Sequence, residues 1–242
     1  MDRLFAWRAL RAGGRALYAP NNADSDNAVS VAIGEHVLLA LRIGNVVPRG
    51  TTMGTPLEQA IRDDLLRTLP NLDPHRNWII QNSLSVSLFE QYRHLDVLDA
   101  AVKRDATLRT EFGREYRVVP DVVVGVDRPG MEPLLHAVVS CKWSMRSDRV
   151  QNVRPEGATL IRHRRGRAPH FVVVTCEPLP SRIASIAMTT GEIDRVYHVA
   201  FEETSDAVAA HGTQHQQDSW SEMVTQGRLR DYNTLVDTIA IT

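Results

Sequence analysis

The sequence predicts an α/β domain, a mixed β-sheet of about five strands flanked by helices. Three features predict it. VVPDVVVGV and LLHAVVSCKW are apolar, β-branched runs separated by the turn signal DRPG. HFVVVTCE and RVYHVAF repeat the strand signature further along. Helical stretches alternate with these runs, giving the order strand, strand, helix, strand, helix, strand, which places helices on the faces of a sheet. With 43% apolar residues among 242, the chain can bury a core of that kind. No internal repeat, low-complexity tract or linker interrupts it. One domain over 1–242 is expected, with a helical N-terminal part at 1–112 and a core at 113–202.

Taken in order, residues 1 to about 21 read as short amphipathic pieces broken by Gly13, Gly14 and Pro20. Asp24, Ser25 and Asp26 precede an apolar run and read as a helix cap. In TTMGTPLEQAIRDDLLRTLPNL, Thr55 fits the N-cap, Pro56 the first turn, and Glu58 completes a capping box. Leu57, Ile61, Leu65, Leu66 and Leu69 form its apolar stripe, and Pro70 ends it. Short apolar runs from 77 lead into a helix from about Glu90. After the two central strands a helix is expected from about Ser147 to Arg164. Pro155 and Gly157 fall inside it, so it either kinks there or begins later. PLPSRIASIAMTT reads as a turn into a short helix. Residues 203–242 read as helical and irregular, with HGTQHQQD as a surface loop.

The net charge is −1, so no global basicity points to nucleic acid. The distribution does. Lys142 to Arg167 carries eight Lys/Arg against Asp148 and Glu156. Such a stripe in a neutral chain is either a solvated helix face or an electrostatic footprint for one anionic partner. Cys141 and Cys176 lie in apolar runs and read as reduced core thiols, without disulfide or zinc spacing. No signal peptide or membrane-length apolar run is seen, so a soluble, cytoplasmic protein with no membrane partner is expected.

The chemistry concentrates at two charges in apolar strands. Asp121 follows Pro120, and Lys142 closes the next strand. A hairpin brings both to one end of the sheet. Buried charges are costly unless each has a partner or a task. An aspartate can hold a divalent cation, and a lysine beside it can orient a water, as phosphodiester hydrolysis needs. A second acid near the lysine would complete the set. Position 140 is a serine instead, and Glu156, fourteen residues past Lys142 on the following helix, is the candidate to replace it. The plain alternatives are a strand-end lysine reaching solvent and, for Glu58, a capping carboxylate alone. Arg146, Asp148 and Arg149 crowd one turn at a helix start. They are either an N-cap with surface arginines or a set suited to G·C pairs, because arginine bonds guanine O6 and N7 and a carboxylate accepts from cytosine N4.

Pro120-Asp121, SCKW at 140–143, RSDR at 146–149, Glu156, and the later VVVTCEPLPSRIAS and GEIDRVYHVAF resemble the NgoMIV/SgrAI family of type II restriction endonucleases. The likeness runs from about Gly54 to GRLRDY near the C-terminus. It implies a restriction-endonuclease-like core and Mg²⁺, up to two per active site. It also implies double-strand cuts in a palindrome with a CCGG core, GCCGGC, leaving four-base 5′ overhangs. The partner would be double-stranded DNA and the assembly a homo-oligomer, a dimer or a tetramer of two dimers holding two duplexes, in a prokaryotic cytoplasm. By position, Asp121 and the Cys141 carbonyl would hold metal. Lys142 would help position the attacking water, Glu156 would complete the acidic cluster, Glu58 would sit close by as an auxiliary acid, and Ser140 would belong to the catalytic set. Arg146, Asp148 and Arg149 would read CCGG, and Arg182 would reach the flanking pair or phosphates. Ser140 departs from the superfamily's usual acid, and the interval from Asp121 to Lys142 is short for the family. Two other functions compete: an inert sequence-specific DNA-binding protein on the same core, and a structure-specific repair nuclease.

Overall fold

The structure, a computed structural model, describes residues 1–12, 15–105, 107–108, 110, 118–145, 153–189 and 191–240, without the side chains of 11, 12, 15 and 16. Its main sheet has six strands: β4 (Asn77–Asn82), β5 (Val122–Asp127), β6 (Leu134–Lys142), β7 (His170–Thr175), β8 (Arg195–His198) and β9 (Leu229–Asp231), side by side in that order. The pairs β4·β5 and β5·β6 are antiparallel, and β6·β7, β7·β8 and β8·β9 are parallel. The mixed sheet is therefore as expected, with six strands rather than about five. The additions are short or half-polar edge strands. NWIIQN buries only Ile80 fully, and LRD is three residues long. Neither gives the continuous apolar signal that β6 and β7 carry because both their faces are covered.

The N-terminal part is not wholly helical. β1 (Trp7–Ala12) and β2 (Arg15–Pro20) form a hairpin with Ala12 opposite Arg15, and β3 (Val46–Val47) pairs with β1 to make a small second sheet. A Gly-Gly pair between apolar-polar runs is a hairpin signal, which explains the strands where broken amphipathic pieces were expected. Trp143, directly after β6, ties this layer to the core. Its ring meets Phe5 at 5.1 Å and its Nε1 donates to the Asn21 carbonyl at 3.1 Å.

Among the described residues the α-helices are α1 (Ala28–Ala40), α2 (Gly54–Leu72), α3 (His94–Arg104), α4 (Val153–His163), α5 (Pro180–Ala187), α6 (Phe201–His211), α7 (Gln214–Thr225) and α8 (Leu235–Ala240). Asn27, not Asp24 to Asp26, caps α1, accepting from the Ser30 N–H at 2.9 Å. The capping box expected at Thr55 and Glu58 does not form: α2 begins at Gly54, Met53 occupies the N-cap, and no side chain caps it. Its stripe is as read, with Leu57, Ile61, Leu65 and Leu69 buried, while Leu66 is exposed. HGTQHQQD is no loop. Thr213 caps α7, which takes in the glutamines.

Pro155 is the third residue of α4, in the first turn, where a missing N–H breaks no intrahelical bond. The expected start at Ser147 lies outside the described residues. Gly157 is there for close approach. A Cβ on it would stand 2.7 Å from the Phe171 ring and 2.9 Å from the Glu192 carbonyl. The Pro-Glu-Gly sequence thus lets α4 lie hard against the start of β7 and presents Glu156 from its first turn.

Candidate active site

The ladder between β5 and β6 ends at Val122 opposite Val139, and just beyond it Asp121 faces the free end of β6. One carboxylate oxygen, Asp121 Oδ2, accepts from Lys142 Nζ at 2.9 Å, from the Cys141 N–H at 2.6 Å and from Ser140 Oγ at 3.4 Å. Alternation along a strand puts Ser140 and Lys142 on one face and turns the Cys141 side chain to the other. A strand residue aims its N–H and its C=O toward the same neighbour, so the Cys141 carbonyl lies on the Asp121 side of the strand. The ion pair is partly buried, with side-chain exposures of 27% for Asp121 and 17% for Lys142. Three donors on one oxygen offset much of the cost of desolvating it.

Two further acids share this ground. Glu156, on α4, has its carboxyl pushed up to about 7, first by burial and then by the charge of Asp121, with the Lys142 ammonium pulling the other way. Glu58, on α2, is raised by the same causes in the same order. The Cys141 thiol is buried and raised well above its ordinary value, chiefly by burial, and it feels Asp121, Lys142, Glu58 and Glu156 together. Four charged groups from α2, the β5 start, the β6 end and α4 therefore surround one strand terminus. With no cap to serve, Glu58 is available to that cluster.

Asn82, at the end of β4, makes the convergence of α2 and β5 possible. Its Nδ2 donates to the main-chain carbonyls of Glu58 at 3.2 Å and Asp121 at 3.1 Å. The Ser83 N–H adds a bond to the Asp121 carbonyl at 3.3 Å, from a backbone with φ of +52°. Sequence reasoning missed Asn82. The available sign was a polar amide closing the apolar run NWII.

Among the described residues, no three His, Cys, Asp or Glu groups stand at metal-holding geometry. Asp121 instead bonds Lys142. Arg146, Asp148 and Arg149 lie outside the described residues. Arg182, in the first turn of α5, is apart from the acid cluster in its bonding. It pairs with Asp24 and stands 3.8 Å from Glu177 Oε1. Both cysteines are free and buried, as expected of core thiols.

The raised Glu156 carboxyl has a consequence for stability. A group whose folded pKa exceeds its unfolded value stabilises the fold fully below the unfolded value, near 4.5, and that contribution is lost as pH rises through about 7. In metal-free protein, wild type should therefore lose stability relative to Glu156→Gln between about pH 4.5 and 7, measured by denaturant unfolding at each pH. A difference between the two that stays flat across this window would show that Glu156 does not titrate in the cluster.

Comparison with known proteins adds sequence evidence. The family model described as NgoMIV restriction enzyme matches residues 8–129 and 126–241. The chain is 35% identical over 256 residues to the type II restriction enzyme NgoMIV of Neisseria gonorrhoeae, covering 91% of this chain and 90% of that protein. A solved complex of restriction endonuclease PspGI with substrate DNA aligns at a TM-score of 0.36 and 12% identity, over 75% of this chain and 59% of that one. No helix among the described residues is long and apolar enough to cross a membrane.

Proposed function

The chain belongs to the NgoMIV restriction enzyme family and is a type II restriction endonuclease, and on that footing we propose that it cuts both strands of a palindrome with a CCGG core. The proposed site is GCCGGC, cut with Mg²⁺ to leave four-base 5′ overhangs. The observation that carries the chemical part is the bond of Asp121 to Lys142 at 2.9 Å, with two acids of raised pKa beside it.

The residues fit a divalent cation by charge and donor type. Three carboxylates crowd one lysine, and burial, followed by repulsion from Asp121, raises two of them. A hard cation prefers such oxygen donors and would relieve the repulsion. Asp121, Glu156 and the Cys141 carbonyl would hold it, with Glu58 as an auxiliary acid. When bound, the cation supplies Lewis-acid polarisation of the phosphate and a more acidic water. Asp121, itself held by the Cys141 N–H, fixes where Lys142 stands. From there the ammonium orients a water and offsets negative charge that grows on the phosphate oxygens. Ser140 holds the Asp121 carboxylate in place through its hydroxyl.

Arg146, Asp148 and Arg149 are proposed to read the CCGG pairs, and Arg182 the flanking pair or phosphates after leaving Asp24. A palindrome is matched by two-fold symmetry, so the reading includes a homodimer, and a tetramer with two duplexes by likeness to the family. Digestion of phage DNA with Mg²⁺, followed by mapping of the ends, tests the whole. Discrete fragments ending in 5′ overhangs at GCCGGC are expected. Salt-sensitive binding without any cut would favour an inert DNA-binding protein, and a smear a structure-specific nuclease.

A further inference from the structure

We infer that Glu177 is a positioning residue for base recognition, a buried carboxylate that fixes the start of the reading segment and holds Arg182 with the same group. The inference rests on the proposed roles of Arg146 to Arg149 and Arg182 in reading DNA. Glu177 follows β7 and is wholly buried, at 0% exposure. Its Oε2 accepts from the Met145 N–H at 2.6 Å. Its Oε1 accepts from the Leu179 N–H at 3.1 Å and faces Arg182 Nη1 at 3.8 Å. Met145 is buried and is the residue before Arg146 in the chain.

The chain from Lys142 to Met145, which precedes the proposed reading residues in the sequence, is thereby pinned at three points. Lys142 binds Asp121, Trp143 binds the Asn21 carbonyl, and Met145 binds Glu177. Only the last is a second carboxylate brought in from another element, 32 positions away. Arg182 faces the same carboxylate with Nη1 while its Nη2 donates to Asp24. Two DNA-reading parts of the sequence therefore share one buried anion.

Stability alone explains Glu177 poorly. Burial pushes its carboxyl up to about 7, against the pull of the Met145 and Leu179 N–H groups and of Arg182. An anion in such a place is a weak device for holding a fold together, and apolar packing often does better. What a carboxylate alone offers is two acceptor oxygens and a charge in one plane. A glutamine can accept only one of the two N–H groups and gives nothing to Arg182.

The test is the ratio of cutting rates, kcat/KM, on a duplex carrying GCCGGC and on one with a single core substitution, with Mg²⁺. Glu177→Gln is expected to lower that ratio about tenfold or more while cognate cutting changes less, since Asp121, Lys142 and Glu156 are untouched. The ratio does not depend on how much protein is folded, so lost stability alone would leave it unchanged. Glu177→Asp keeps the charge but withdraws it from the Met145 N–H, and it serves if the glutamine variant does not fold. Its ratio should fall as well. An unchanged ratio in either folded variant overturns the inference. A wild-type enzyme that cuts both duplexes equally would strike the proposed recognition, not Glu177.

Discussion

Asp121→Asn should lower single-turnover cutting by about 10³-fold or more while the protein still folds and still binds DNA. The asparagine oxygen can keep the Cys141 N–H bond that Asp121 Oδ2 makes at 2.6 Å, so the strand end need not collapse. The charge is lost, and with it the ammonium's partner and the central donor for a cation. Binding to duplex, measured by fluorescence anisotropy without Mg²⁺, should hold or tighten, because an anion beside the phosphate has been removed. Cutting within tenfold of wild type would mean that Asp121 is a structural acid and that the chemistry happens elsewhere.

Lys142→Ala should cost about 10²–10³-fold in the same assay, the scale of losing one charge-stabilising group aimed at a transition state. The variant also leaves Asp121 without its ion partner at 2.9 Å. Full activity in Lys142→Ala would reduce the lysine to the strand-end cation that the sequence also allowed.

What could be read in the sequence follows from which signals are local. β5 to β8 are buried along most of their length, so their residues form mainly apolar runs. A charge inside such a run stands out, and this is why Asp121 and Lys142 were legible as a pair. Glu58 was legible only as a cap, because Thr55, Pro56 and Glu58 make a good local motif. Tertiary placement started the helix at Gly54 instead and left the carboxylate to the acid cluster. Asn82 shows in the sequence only as a polar amide closing NWII, and the role of Glu177 shows in no local motif. Asn82 bonds the Asp121 carbonyl 39 positions away and Glu177 the Met145 N–H 32 positions away, main-chain groups whose identity leaves no trace in the sequence. The two edge strands were hidden for a related reason, since an edge needs little apolar surface to pair.

The most direct measurement is the single-turnover rate of the double variant Asp121→Asn, Lys142→Ala beside those of the two single variants. Groups that act as one unit are not additive. The double variant should then cut no more than about tenfold more slowly than the worse single one. If the two losses instead multiply, residues 121 and 142 contribute separately, and the bonded pair at the end of β6 is not the centre of the chemistry.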